Sequence, residues 1–238
     1  MSSRIITWHG HANFQLDYSS SSESVNILID PFFTGNPKAT KKWDEIKKPD
    51  IVLVTHMHGD HVGDAAAICK STGALLATCV GTADAFTSAG VPESQILNGH
   101  GFNIGGSMQA KGVTITMTQA FHTTDGVAPV GYIIKFPDGS RVYHAGDTGI
   151  FGSMATLGEL YAIDLALLPT GSTYTMDMKQ AAYAAKLLKT KAVVPMHWGT
   201  FPALEQSMEK FPEILAKQTG CRCILMKPGE EAVFSREK

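Results

Sequence analysis

Ile51-Val52-Leu53-Val54-Thr55-His56-Met57-His58-Gly59-Asp60-His61 is the stretch that decides the fold of this chain. Its aliphatic, β-branched opening reads as a buried strand. The strand stops in a turn that crowds three imidazoles and a carboxylate together. Neutral imidazole and carboxylate suit divalent transition metals, and a strand ending in a glycine-containing loop lets neighbouring side chains converge on one point. His56 and His58, two apart, leave the backbone in the same direction. Asp60 and His61 are adjacent and diverge, so the spacing points to two ions rather than one. The competing reading is a solvated or tag-like histidine loop. Against it, nine histidines in 238 residues do not by accident place four ligand-type residues within six positions.

Working outward, three more strand-like runs each deliver a ligand-type side chain at or just past the C-terminal end. Residues 113–121 lead to His122, 141–146 to Asp147 and 192–196 to His197. In α/β proteins that edge is where loops from several strands meet on a rigid base and where sites assemble. His122 alone could equally be a core histidine. His144, three before Asp147, reads as core or as a support behind the site. Asp30, closing the run 25–29 ahead of Pro31, suits a carboxylate that accepts the outer ring N–H of a ligating histidine. His9 and His11 flank Gly10, where a turn-stabilising role competes with an approach to the site. His100, amid glycines, reads as a surface loop residue.

Further strands are expected at 5–6, 75–79, 130–136, 165–168, 221–226 and 232–234, and helices at 62–72, 82–90, 176–188 and 203–218. Pro137-Asp138-Gly139-Ser140 reads as a hairpin turn, as does the serine tract 19–22. The result is a mixed α/β chain with grouped strands. A lysine-containing lead-in, a β-branched run and a histidine recur at 48–56 and 191–197, a faint internal echo. No linker divides the chain, so one domain over 1–238 is expected.

Composition is that of a globular protein, 44% apolar and 18% charged, and the net charge of −2 gives no general reason to bind nucleic acid. The basic cluster at 38–48 holds Asp44 and Glu45 and reads as a solvated face or loop. The four cysteines form no C-x-x-C pair, which suits reduced, structural thiols. The N-terminus lacks the apolar stretch of a signal peptide and nothing is long enough to span a bilayer, so a cytoplasmic location is expected.

The ordered set His56-x-His58-x-Asp60-His61, His122, Asp147 in Gly146-Asp147-Thr148-Gly149, and His197 resembles the metallo-β-lactamase superfamily of metal-dependent hydrolases. More narrowly, Trp8-His9-Gly10-His11-Ala12, Ile29-Asp30-Pro31-Phe32, Tyr143-His144-Ala145-Gly146-Asp147-Thr148-Gly149 and Pro195-Met196-His197-Trp198-Gly199-Thr200-Phe201-Pro202 are similar to the bacterial and archaeal UPF0173 family. That family is kin to ascorbate-6-phosphate lactonase and the N-acyl-phosphatidylethanolamine phospholipases. The resemblance implies a four-layer αββα sandwich with two divalent metal ions on one rim. It implies that His56, His58 and His122 hold one ion, that Asp60, His61 and His197 hold the other, and that Asp147 bridges. By family precedent Asp60 also orients the attacking water and takes its proton. Zinc is the default metal; a nitrogen and oxygen ligand set without cysteine is also compatible with Mn²⁺ or Fe.

Two departures from the family stand out. Thr170-Gly171-Ser172-Thr173-Tyr174-Thr175-Met176 replaces an expected Ile-Gly-Asp-Asn-Phe-Thr-Met, and Trp198-Gly199 alters the wall beside His197. The pocket rim is expected from 32–37, 123–130, 172–174 and 198–199, with Ser172 to Tyr174 offering hydroxyls to substrate and Tyr174 or His144 a leaving-group acid. The expected activity is hydrolysis of a phosphodiester, lactone or related ester of a small or lipid-like molecule, with a homo-oligomer suggested by relatives. The competing activities are a nuclease and an iron-binding redox module.

Overall fold

The computed structural model describes residues 2–124 and 126–234. In chain order it contains β1 (Ser3–Gly10), β2 (Asn13–Ser19), β3 (Ser24–Ile29), β4 (Ile51–Leu53), α1 (Gly59–Val62), α2 (Ala65–Thr72), β5 (Leu75–Ala77), α3 (Ala83–Ser88), β6 (Ser107–Ala110), β7 (Val113–Gln119) and β8 (Val130–Lys135). It continues through β9 (Arg141–His144), α4 (Met154–Tyr161), β10 (Leu165–Pro169), α5 (Met178–Leu188), β11 (Ala192–Met196), α6 (Phe211–Gln218), β12 (Arg222–Cys223) and β13 (Glu231–Val233). Six strands form one sheet in the order β13-β1-β2-β3-β4-β5, and seven form a second in the order β12-β11-β10-β9-β8-β7-β6. Each sheet changes from antiparallel hairpins to parallel crossovers, at β3 and β4 in the first and at β9 and β10 in the second.

Alternation along the buried strands assigns the layers. Ile51 and Leu53 enter the core between the sheets, while Val52 and Val54 face α2 and α3. Leu165, Leu167, Val194 and Met196 fill the same inter-sheet core, whereas Ala166, Leu168 and Val193 pack beneath α4, α5 and α6. The inter-sheet cluster draws on residues from Ile6 to Phe234. Two sheets face to face with helices outside each make the expected αββα sandwich. Tyr132 lies in that core and its hydroxyl donates to the Val54 carbonyl at 2.8 Å, joining the sheets one residue before the histidine turn. Among the described residues no helix is long and apolar enough to cross a membrane.

Several elements differ from expectation for local reasons. The helix expected over 62–72 is broken at Gly63, whose φ of 41° and close approach to the Pro31 and Phe32 backbone admit no side chain. The helix expected over 203–218 begins only at Phe211, with Pro212 in its first turn. The residues before it form a loop in which the Gly199 N–H donates to the Glu205 carbonyl at 2.8 Å. The strand expected over 221–226 shortens to Arg222 and Cys223. Helix α4 was not anticipated. It packs through Gly158, where a Cβ would meet the Leu188 backbone at the end of α5.

Candidate metal centre

All seven residues singled out as ligands meet on one rim, at the C-terminal ends of β4, β7, β9 and β11 and in α1. Three groups of donor atoms lie within 4.8 Å of one another: His56, His58 and His122; His11, Asp60, His61 and His197; and His56, His61 and Asp147. Modest side-chain rotation closes such a spread onto an ion with bonds of about 2 Å. Asp147 stands at the junction. Its Oδ2 is 2.9 Å from His197 Nε2, 3.3 Å from His61 Nε2 and 3.7 Å from His122 Nε2. One buried carboxylate oxygen thus faces imidazoles of both groups.

The histidines behind that carboxylate are pre-oriented. Thr55 donates its N–H to Asp30 Oδ1 at 2.8 Å and its hydroxyl to Asp30 Oδ2 at 2.7 Å. His61 Nδ1 is 2.7 Å from the same Oδ2, and His56 Nδ1 is 3.1 Å from the Thr55 hydroxyl oxygen. Nδ1–H of each ring is therefore spent on Thr55 and Asp30, which leaves both Nε2 lone pairs turned inward. The inward atoms have unmet capacity, since His61 Nε2 and Asp147 Oδ1 are buried without a hydrogen-bond partner. His61 Nε2 lies 3.3 Å from Asp147 Oδ2 without the direction of a hydrogen bond. Such orphans in a nitrogen and oxygen donor set fit a cation.

The surrounding charges favour a positive charge at this point, whether a proton on His61 Nε2 or a metal ion in its place. Burial alone would raise the Asp147 carboxyl, but His197 and His61 hold it well below its ordinary range. Burial opposes a charge on His61, yet Asp147 and Asp30 push its pKa well above the usual value. His56 moves the other way, down to about 3, because burial and then the neighbouring His61 disfavour its cation.

Asp30 is wholly buried at φ 46°, a conformation that asparagine also tolerates. Asp30→Asn is therefore expected to fold, yet to present an amide where both tautomers are set. Metal affinity should fall by about 10- to 100-fold, read by competition with a chromophoric chelator. Unchanged affinity would remove Asp30 from the orienting network.

His11 lies closer to the centre than its position near the N-terminus suggested. Its Nε2–H donates to Asp60 Oδ2 at 3.0 Å, and its Nδ1 is 3.0 Å from the Thr200 hydroxyl. Its carbonyl accepts from Trp8 Nε1 at 2.9 Å and from the His197 N–H at 3.0 Å. Both His11 and His197 sit at positive φ, 60° and 59°. Gly171 seals the back of His197: a Cβ there would run into the His197 carbonyl and come within 2.9 Å of Nδ1.

Other expectations are corrected. His144 spends both ring nitrogens on the backbone, Nε2 on the Ala12 carbonyl at 2.9 Å and Nδ1 on the Gly146 N–H at 3.1 Å, so it is a core residue and not a leaving-group acid. Ser172 is exposed at φ 71°, and its hydroxyl does not line the cavity. The rim expected from 32–37 and 198–199 turns elsewhere. Trp198 packs on Trp8 with ring centroids 5.3 Å apart and donates to the Pro195 carbonyl. His58, Asp60, His122, Asp147 and His197 instead floor a cavity of about 640 Å³, walled by Thr123, Tyr174, Phe201, Pro202 and Ala203. Asp125, within the expected loop 123–130, lies outside the described residues. Thr55, Thr200 and Phe201 were not singled out, although Thr200 and Phe201 fall inside the block ending at Pro202.

His9 is buried, its Nε2 3.3 Å from Gln15 Oε1 and its ring centroid 5.0 Å from that of Phe33. Burial lowers its pKa to about 4. Between pH 6.5 and 4 the unfolded chain then binds the proton that the folded chain refuses. Stability falls with falling pH across that window and levels off below it. The share due to His9 is on the order of 3 kcal/mol. Denaturant melts of His9→Phe should show a shallower loss by that amount between pH 7 and 4; a slope equal to wild type would contradict it.

The fold and the cluster together define a metal-dependent hydrolase of the metallo-β-lactamase fold. The Beta-lactamase superfamily domain matches residues 25–198, and the chain belongs within it to the UPF0173 metal-dependent hydrolase family. It is 56% identical over 234 residues to a UPF0173 metal-dependent hydrolase of Nitratidesulfovibrio vulgaris, covering 98% of this chain and 96% of that one. It is 57% identical over 224 residues to one of Lawsonia intracellularis, covering 94% and 96%. Among solved structures, Igni18, a metallo hydrolase from the archaeon Ignicoccus hospitalis, is 38% identical with a TM-score of 0.88 over the whole of both chains.

Proposed function

We propose that this rim is a dinuclear metal centre, with zinc the first choice, at which the chain hydrolyses a phosphodiester, lactone or related ester of a small or lipid-like molecule. The observation that carries the reading is Asp147 Oδ2, set between His61 and His197 on one side and His122 on the other. His56, His58 and His122 would hold one ion, Asp60, His61 and His197 the other, with Asp147 shared. Two divalent ions at such a site supply Lewis acidity and make water acidic enough to be used at neutral pH.

The chain's own residues account for the rest. Asp60 opens α1 with its side chain 27% exposed to the cavity, so it can reach both an incoming water and its proton. His11 fixes one Asp60 oxygen through Nε2–H, which aims the other into the cavity. The Asp60 carboxylate, which can only accept, selects the Nε2–H tautomer, and the Thr200 hydroxyl 3.0 Å from Nδ1 holds the other side of the ring. The Asp60 carboxyl is thereby held below its ordinary range, although burial works against it.

The test is turnover of phosphodiester and lactone panels by protein as purified, after chelation, and after metal return. Activity should be abolished by chelation and restored by zinc or manganese. Turnover that persists after removal of bound metal, verified by elemental analysis, would overturn the reading.

A further inference from the structure

The cavity has two unlike sides. Its floor is the cluster of imidazoles and carboxylates, and its far wall is Tyr174, Phe201, Pro202 and Ala203. That wall comes from two loops tied to one another. The Thr173 hydroxyl donates to the Ala203 carbonyl at 2.6 Å, and the Glu205 N–H donates to the Gly171 carbonyl at 3.0 Å. Gly171 in turn packs against His197, so the wall is anchored to the floor. The apolar face is therefore built in advance at a fixed position beside the reacting centre.

Tyr174 lines this wall and is 60% exposed, although an aromatic side chain gains most from being covered. No lysine or arginine lines the cavity among the described residues. The Lys38 stem passes 3.8 Å from where a Gly199 Cβ would stand, outside the lining. A charged substituent pointing along this wall would be desolvated without a side-chain counter-ion.

We propose that the substrate carries an uncharged acyl or aryl arm that lies on Tyr174, Phe201 and Pro202 while its ester sits on the floor. This deepens the hydrolase reading and rests on it for the ester, though not for the arm. Covering an open aromatic face with methylenes strengthens binding by about two- to fourfold per CH₂, the lower figure where the arm is only half buried.

The experiment separates the arm from the chemistry. Binding of n-alkyl amides of four, six and eight carbons is measured by calorimetry on chelated protein, and kcat/KM for p-nitrophenyl esters of the same lengths on metal-loaded protein. Both are repeated on Tyr174→Phe, Tyr174→Ser and Ala203→Asp, all at exposed positions. Affinity should climb with chain length in wild type and Tyr174→Phe. It should lose most of that slope in Tyr174→Ser and Ala203→Asp. A flat series in wild type, or a slope untouched by both wall variants, would overturn the inference. A chain-length slope in binding with no turnover of any ester would sustain the arm and count against the hydrolase reading alone.

Discussion

Replacing Asp147 with alanine or asparagine is expected to cost the protein both of the proposed metal ions, not one, and to lower turnover by at least about 10³-fold, about 4 kcal/mol of barrier or more. The carboxylate is buried, and a single oxygen faces His61, His122 and His197. Without it, two clusters of mostly neutral donors would have to hold two dications next to one another with little compensating charge. Asparagine keeps the volume and removes the anion, so it isolates charge from packing. The backbone at this point is fixed independently by Gly146, at φ 63° and pressed against Thr55 and Val130. Elemental analysis of both variants beside wild type reads the outcome. Wild-type metal content in Asp147→Asn would show that the ions do not share this residue.

Asp60→Asn should behave differently. His61, His197 and Asp147 remain to hold metal, and the amide oxygen can still accept from His11 Nε2–H, so fold and most of the metal should be retained. What is lost is the group proposed to take a proton, and turnover should fall by about 10²- to 10⁴-fold with a melting temperature close to wild type. Because Asp60 is partly exposed at the start of a short helix, little packing depends on it. Near-wild-type turnover in this variant would remove Asp60 as the base.

The residues that cluster on the rim were legible because their chemistry is restricted and strand ends place them. His56, His58, Asp60 and His61 sit in one turn, and His122, Asp147 and His197 each follow a run that alternates or is wholly apolar. The partners of those residues were less legible. Thr55 orients His56 only because β3 brings Asp30 beside it, and Thr200 meets His11 across 189 residues of sequence. A threonine carries no mark of such a contact. Ser172, and His144 as a leaving-group acid, misled for the opposite reason, being polar and near the motif in sequence, although the reading of His144 as a core residue holds. The backbone claims His144, and a left-handed turn directs Ser172 to solvent. Periodicity also overran at 203–218, where apolar spacing continued past a loop that closes on itself through Gly199 and Glu205.

The central claim is that two ions share Asp147. A crystal of the protein loaded with zinc, with diffraction recorded on both sides of the zinc absorption edge, tests it most directly. Two anomalous peaks are expected, one among His56, His58 and His122 and one among Asp60, His61 and His197, with the Asp147 carboxylate between them. A single peak, or two peaks of which only one touches Asp147, would contradict it.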